Sequence, residues 1–318
     1  MILCVAASPS IDKLFEVDGV EIGRIHRPRK FVQVPGGKGV NVARVAHALG
    51  ANVMATGILA GHAGRWMEEA LGAEGVPARF AWAGGETRAS LSVADVSAGG
   101  LTEFYERGPD IGHEGWQGLE SLVKELLPET HWMTISGHLP VGAPPDGYAR
   151  LISMATEAGV PTALDSRDEA LALGIEAGPR LVKVNAEEAA ALLGRDVGTP
   201  DQAKEAATDI LRRGGDGDGE RIAVVTRGAE GAVVVTGAGE AMRGRMYARG
   251  PYPVGSGDAF LAGFVAVLHE GGSLRDALCL ALGAGTANAE MPGAGRLDPE
   301  RARELAQQAE VDQIAAPL

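Results

Sequence analysis

Pro253-Val254-Gly255-Ser256-Gly257-Asp258-Ala259-Phe260-Leu261-Ala262 runs from a glycine-framed turn into an apolar helix, with a carboxylate among the helix's first residues. Backbone N–H groups at a helix start are unpaired and carry partial positive charge, so they attract an anion. Gly255 and Gly257 let the main chain approach that anion with no Cβ in the way. A carboxylate beside such a nest repels phosphate and is ill suited to holding it. It suits the removal of a proton from a hydroxyl that attacks phosphorus. Asp258 also suits a plain helix N-cap. This stretch alone leaves both roles open.

Working outward, residues 2–7 read as an interior strand. Lys13–Val17 and Lys30–Val34 alternate like half-buried strands. Gly36-Gly37-Lys38-Gly39 opens a helix with Val42, Val45, Ala46 and Leu49 on one face and Gly50 as its stop. A strand over 52–59 and a helix over 65–71 follow. Residues 89–96 and 101–105 form a hairpin across Ala98-Gly99-Gly100. Beyond Gly115 the rhythm is regular: a helix over 119–127, a strand over 132–136, a helix over 148–157, and strands over 162–165 and 181–184. Helices near 186–193 and 202–212, strands at 222–226 and 232–236, and helices starting at Asp258, Leu274 and Pro299 complete the chain. This alternation implies one α/β domain over 1–318, a mostly parallel sheet covered on both faces. Segments of about 11–34 and 88–106 are too polar on one face for its centre and are expected to form a small separate sheet over the site.

The 318 residues and 45% hydrophobic content suffice for a substantial core, and 46 glycines fit many tight turns. A formal charge of −13 argues against nucleic-acid or anionic-membrane partners, which need a basic footprint. No window reaches the ~18 apolar residues of a membrane span. The apolar start lacks a basic leader region, so a cytoplasmic location is expected. Cys4 and Cys279 have no metal or redox spacing and read as buried thiols. Gly214–Gly219 reads as a flexible acidic turn rather than a calcium loop.

Several stretches could bear chemistry. Gly36-Gly37-Lys38-Gly39-Val40-Asn41 is neither a Walker A loop nor a dinucleotide fingerprint, yet can present amides, an ammonium and an amide side chain to a polyol or phosphate. Arg88 offers a planar guanidinium suited to phosphate. Asp12 follows the first strand and could accept sugar hydroxyls or cap a turn. Lys183-Val184-Asn185-Ala186-Glu187-Glu188 leaves a strand's carboxyl end, where α/β sheets bind ligands. Asn185 and Glu188 could order water around Mg²⁺ or form a capping box. Thr226, Gly228 and Gly231 lie in a turn fitting a hairpin or a nucleotide platform. The histidines lack zinc spacing, and there is no nucleophile elbow.

Together these stretches resemble the ribokinase/PfkB family of carbohydrate kinases, within it the 1-phosphofructokinase and tagatose-6-phosphate kinase branch. The likeness runs from about residue 3 to residue 290. Gly36 through Arg44 carries Gly-Gly-Lys-Gly-x-Asn-x-Ala-Arg intact, and Gly255-Ser256-Gly257-Asp258 is the family signature. Thr87-Arg88 and Thr102-Glu103 match in order, and Lys183-Val184-Asn185-x-x-Glu188 resembles Lys-Pro-Asn-x-x-Glu with Val184 in place of proline, a change of backbone stiffness only. Ser8-Pro9-Ser10-Ile11-Asp12 departs from Asn-Pro-x-Ile-Asp at Ser8. Ser136-Gly137-His138-Leu139-Pro140 departs from Ser-Gly-Ser-Leu-Pro at His138. The departures at Ser8 and His138 fall where the sugar is expected.

The resemblance implies a ribokinase-like three-layer α/β sandwich with a small β-sheet lid. It implies transfer of the ATP γ-phosphoryl group to a phosphorylated ketohexose, with fructose 1-phosphate ahead of tagatose 6-phosphate and fructose 6-phosphate. Asp258 is then the base, aided by the amides of Gly255, Ser256 and Gly257. Asp12, Gly36, Gly37, Asn41, Glu103 and Ser136 fall on the sugar side, with Lys38, Arg88 and Arg27 on its phosphate. Lys183, Asp165, Thr226, Gly228, Gly231 and Asn288 fall on the nucleotide side, and Asn185 and Glu188 hold Mg²⁺ through water. The lid sheets are expected to pair two copies into a homodimer, covering exposed edges. A non-catalytic sugar-phosphate sensor and a nicotinamide-dependent oxidoreductase are the alternatives; an intact signature disfavours the first and a missing dinucleotide fingerprint the second.

Overall fold

The computed structural model describes residues 1–215 and 220–315. Most of the acidic turn expected at Gly214–Gly219 lies outside the described residues. The chain begins on β1 (Ile2–Ala6), enters a small sheet as β2 (Ser10–Val17) and β3 (Lys30–Gly36), and returns with α1 (Lys38–Ala48). β4 (Val53–Ala60), α2 (Gly61–Ala73) and β5 (Ala81–Ala83) precede a second excursion, β6 (Ala89–Asp95) and β7 (Gly100–Tyr105). Then come α3 (Gly112–Leu126), β8 (Trp132–Ser136), α4 (Gly147–Glu157), β9 (Thr162–Asp165), α5 (Asp168–Glu176), β10 (Leu181–Asn185), α6 (Ala186–Leu193) and α7 (Pro200–Arg213). β11 (Ile222–Thr226), β12 (Ala232–Thr236), β13 (Ala241–Arg245), α8 (Ser256–His269), α9 (Leu274–Ala289), α10 (Pro299–Gln308) and β14 (Glu310–Gln313) finish it.

The large sheet runs β14-β13-β12-β11-β10-β9-β8-β1-β4-β5. It is parallel from β5 to β11 and antiparallel over its last three pairings. β1 shows why it is central. Ile2, Cys4 and Ala6 point into one apolar layer, Leu3 and Val5 into the other, and all five are buried. Side chains alternate across a strand, so a strand covered on both faces is apolar throughout. One layer is built with α1, α2, α8, α9 and α10, the other with α3 to α7. This is the expected three-layer sandwich.

The small sheet has the order β3-β2-β6-β7; its strands lie near the two segments anticipated for the lid, with β2 starting at Ser10 and β3 running on to Gly36. β2 pairs antiparallel with β3 and parallel with β6. The hairpin expected over 89–105 is present as β6–β7. Tyr252, on the segment leading to Gly255, donates its hydroxyl to Glu16 of β2 at 2.7 Å. That bond holds the Glu16 carboxyl below its usual range and ties lid to body.

Three expectations need correction. The interval between β9 and β10 contains a helix, α5, where only strands were expected; Arg167 caps it without a side-chain bond, and Asp168 enters at φ 56°. β5, β13 and β14 were not anticipated. Cys4 is buried but Cys279, on α9, is only half-buried. Among the described residues no helix is long and apolar enough to cross a membrane.

Candidate active site

Parallel strands pass their carboxyl ends to one edge of the sheet. β1 delivers Ser8 there, β8 Gly137 and His138, β9 Ser166 and Arg167, β10 Asn185, and β11 Thr226 and Gly228. The register reinforces this, since Ser136 lies beside Asp165 and Asn185 beside Thr226. The lid roofs the edge, and between them lies a cavity of about 890 Å³. Such a crevice at the strands' carboxyl ends is where open α/β sheets bind ligands.

Two helix starts meet in this cavity. Gly37 precedes α1 at φ 86° and Gly255 precedes α8 at φ 82°, backbone that an L side chain rarely adopts. Around Gly255, the Ser256 N–H donates to Pro253 O at 3.1 Å and Asp258 N–H to Gly255 O at 3.1 Å. The Gly255 and Gly257 amides donate to no backbone carbonyl among the described residues. Those two amides remain for an anion; Ser256's is already used in the turn. Lys183 Nζ lies 3.1 Å from where a Gly257 Cβ would stand, placing its ammonium over the same turn. A Cβ on Gly255 would meet Gly295 N at 2.8 Å and Ala294 Cα at 3.0 Å. Gly255→Ala is therefore expected to displace the turn and lower kcat by about 10²–10³-fold, the loss typical of removing an oxyanion donor. Steady-state kinetics with circular dichroism as the folding control would check it; near-normal turnover would show that the turn tolerates the side chain.

Asp258 lies in the first turn of α8, 6% exposed, and accepts Asn41 Nδ2 at 2.8 Å. Burial, with the nearby Asp165 charge, pushes its carboxyl up to about 7, against the pull of Lys38, Asn41 and Lys183. A carboxyl near neutrality is matched to taking a proton from an alcohol.

Beside it lies a buried charge network. Asp165, fully buried, accepts Lys38 Nζ on one oxygen and Lys183 Nζ on the other, both at 2.7 Å. Burial opposes the Asp165 charge, but the two ammonium groups overcome it and hold the carboxyl below its usual range. Lys38 also donates to Glu188 at 3.1 Å. Burial works against the Lys38 charge too; the two carboxylates outweigh it and raise its pKa. Glu188 and Asn185 form a complete capping box at the start of α6.

Arg88 is different. It is 9% exposed, and its guanidinium donates only to neutral oxygens: Ser8 Oγ and Ser8 O, both at 3.3 Å, and Ser90 Oγ at 3.0 Å. No carboxylate lies within salt-bridge distance of it among the described residues. Burial lowers its pKa, with the Asp12 charge partly opposing. Asp12 accepts Ser10 Oγ at 2.6 Å and the Gly37 N–H at 3.3 Å, and burial raises its carboxyl pKa.

Of the residues singled out from sequence, Asp12, Gly37, Lys38, Asn41, Arg88, Lys183, Asn185, Glu188, Thr226, Gly228, Gly231 and the Gly255–Asp258 turn all line this cavity. The others do not. Gly36 packs behind it, against Asp12. Ser136 is buried in the floor with its hydroxyl unpartnered, and Asp165 lies beneath the two lysines. Asn288 sits behind the anion turn, donating to Val254 O and Ser256 Oγ. Glu103 lies on β7, accepting the Tyr105 and Ser92 hydroxyls. Arg27 is exposed on the connection between β2 and β3 and is not drawn inward. Lys38, expected on the sugar's phosphate, has its ammonium committed to Asp165 and Glu188. Sequence reading missed Ser90, Ser166 and Arg167, although 166–167 follow a strand's carboxyl end, a position that could have flagged them.

A lidded α/β sandwich with unpaired amides at a helix start and a buried carboxylate beside them is the architecture of a sugar kinase, a phosphotransferase with an alcohol acceptor. The profile described as pfkB family carbohydrate kinase matches residues 3–301, and the chain belongs to that family. Among solved structures it is similar to phosphofructokinase-2 from Escherichia coli in complex with substrates and products: 26% identity, covering 97% of this chain and 98% of that one, TM-score 0.86. The tetrameric inhibited form of that enzyme matches at 27% identity, 96% and 98% coverage and TM-score 0.86. A possible 1-phosphofructokinase from Thermotoga maritima, at 23% identity, shares the fold over 99% of both chains with TM-score 0.85.

Proposed function

We propose that this ATP-dependent kinase phosphorylates a ketohexose that already bears one phosphate. Fructose 1-phosphate is the leading substrate, ahead of tagatose 6-phosphate and fructose 6-phosphate. The observation that carries this is Arg88. A buried guanidinium that meets only hydroxyls and a carbonyl is unfavourable by itself, and an anionic ligand supplies the missing charge. A sugar with no phosphate offers none. The E. coli enzyme's complex with fructose-6-phosphate supports a phosphorylated fructose as the substrate class.

In this reading Asp12 and Asn41 hold the sugar's hydroxyls and Asp258 takes the proton from the attacking one. The Gly255 and Gly257 amides and Lys183 stabilise charge growing on the transferred group. Thr226, Gly228 and Gly231 form the nucleotide's side of the cavity. Asn185 and Glu188 are occupied with each other in the capping box. Among the described residues no cluster of three or more metal-ligating side chains exists. Glu188 and Asn185, which line the cavity, would reach a Mg²⁺ only through its water shell, since Glu188 already accepts from Lys38 and from the Asn185 N–H. When bound, that ion neutralises phosphate charge.

The lid also supports a homodimer formed lid to lid. Phe31, Leu101, Phe104 and Tyr105 are exposed on it, and every residue of β7 is exposed. Unpaired edges of this kind are usually covered in nature.

An ADP-release assay over the three phosphosugars and their unphosphorylated counterparts tests the function. Turnover is expected with at least one phosphosugar, at kcat/KM on the order of a hundredfold or more above the free sugar, as follows from losing one buried charge-assisted contact. Preference for a free sugar would defeat the reading.

A further inference from the structure

The two positions where the chain departs from its family pattern on the sugar side, Ser8 and His138, are 130 residues apart yet touch: Ser8 Oγ lies 3.2 Å from His138 Nε2. Arg88 Nε donates to the same hydroxyl at 3.3 Å. One serine thus joins an imidazole and a buried guanidinium, and all three line the cavity at its lid end. The backbone of His138 is itself fixed, since Tyr148, fully buried, donates its hydroxyl to His138 O at 3.1 Å.

We propose that Ser8 and His138 form, with Arg88, a subsite selective for the substrate's own phosphoryl group, in which His138 is a second and proton-dependent ligand. The proposal rests on the phosphosugar reading above. Its charge logic follows from what faces the ring. Arg88, Arg167 and Lys38 are cations around it, and Asp168 is a carboxylate that opposes them. Burial and those cations push the imidazole down to about 4, so with only protein around it the ring is neutral at physiological pH. A phosphoryl dianion placed beside Arg88 reverses that field and favours the imidazolium. The ring then takes one proton from solvent and donates to a phosphate oxygen. Ser8 relays orientation: its hydroxyl keeps the ring and the guanidinium aimed at one point. A smaller neutral hydroxyl at 138 could not add charge on binding. Affinity for the phosphosugar therefore rises as pH falls from about 8 towards about 6.5, above the range where the phosphate loses its own second charge.

Calorimetric titration of the full chain with fructose 1-phosphate, tagatose 6-phosphate and fructose 6-phosphate, each in two buffers of different ionisation enthalpy, counts the protons taken up. With the tightest binder near pH 7, uptake is expected in the native protein and absent in His138→Gln. That variant should also bind roughly tenfold more weakly below pH 7, as expected for losing a charged hydrogen bond. A purely structural role for His138 would weaken binding equally at every pH and leave the proton count unchanged, and that result would overturn the proposal. If no phosphosugar binds, the functional reading fails instead. The subsite is then decided by inorganic phosphate: an imidazole resonance of His138 that gains a proton on titration supports it, and one that does not move refutes it.

Discussion

Asp258→Asn is expected to lower kcat by about 10²–10⁴-fold, the range associated with a lost general base. The substitution keeps the acceptor for Asn41 Nδ2 and the start of α8, so ATP affinity should change little. Wild-type kcat should fall as pH drops through about 7, where the carboxyl gains its proton, and the residual activity of the variant should lack that limb. Stability moves the other way. The folded carboxyl titrates near 7 while the unfolded one has its ordinary value of 3.8, so between those limits the native state binds more protons. Folding stability contributed by this group is thus present at acid pH and lost as pH rises through about 7, by an amount on the order of a few kcal/mol. Asparagine removes that penalty, so the variant should melt higher than wild type at pH 8 while the two converge towards pH 5. A variant both inactive and less stable at pH 8 would mean that Asp258 supports the fold and that its charge is not strained.

Asp165→Ala should have the largest effect on stability. It removes the one carboxylate shared by Lys38 and Lys183, leaving Lys183, whose side chain is 4% exposed, with no ion-pair partner among the described residues. Breaking a buried pair by deleting one partner typically costs about 3–5 kcal/mol, because a charge remains buried and uncompensated. For a chain of this size that corresponds to a fall in Tm of about five to eight degrees. Asp165→Asn, which keeps an acceptor but not the charge, should fall between alanine and wild type. Thermal denaturation monitored by circular dichroism checks both. A shift of only a degree or two in Asp165→Ala would mean that the lysines find other partners and that this network is not a structural keystone.

Much of the fold was readable because its signals are local. Alternating strands and helices, the β6–β7 hairpin and the Asn185–Glu188 capping box depend on residues a few positions apart. What escaped had weak local signals. The helix α5 starts without a Ser, Thr, Asn or Asp cap and carries Gly174 in its middle, where a Cβ would stand 2.6 Å from Leu164 Cδ2. β13 reads Ala-Met-Arg-Gly-Arg and is a strand because β12 and the distant β14 pair with it.

The site divides the same way. The residue types at Gly255–Asp258, Lys183 and Arg88 were legible as chemistry. Their partners were not, since Asn41 meets Asp258 across 217 positions and Lys38 meets Asp165 across 127. That is why Lys38 was expected at the sugar's phosphate when its ammonium instead joins the carboxylates beside Lys183. Charge alone does not tell which of several lysines and arginines is already neutralised. Only the folded arrangement separates Arg88, which has no ion-pair partner among the described residues, from Lys38, which has two.

The phenol of Tyr252 braces Glu16 like a strut between a jaw and its hinge. Because the strut belongs to the peptide that runs into Gly255, one hydrogen bond joins the jaw to the turn that opens α8, across 236 positions of chain. If a load on one end shifts the other, linkage requires the converse by the same free energy. On the proposed reading, a dimer closed across the jaw and a nucleotide held at the turn would act on each other through this bond.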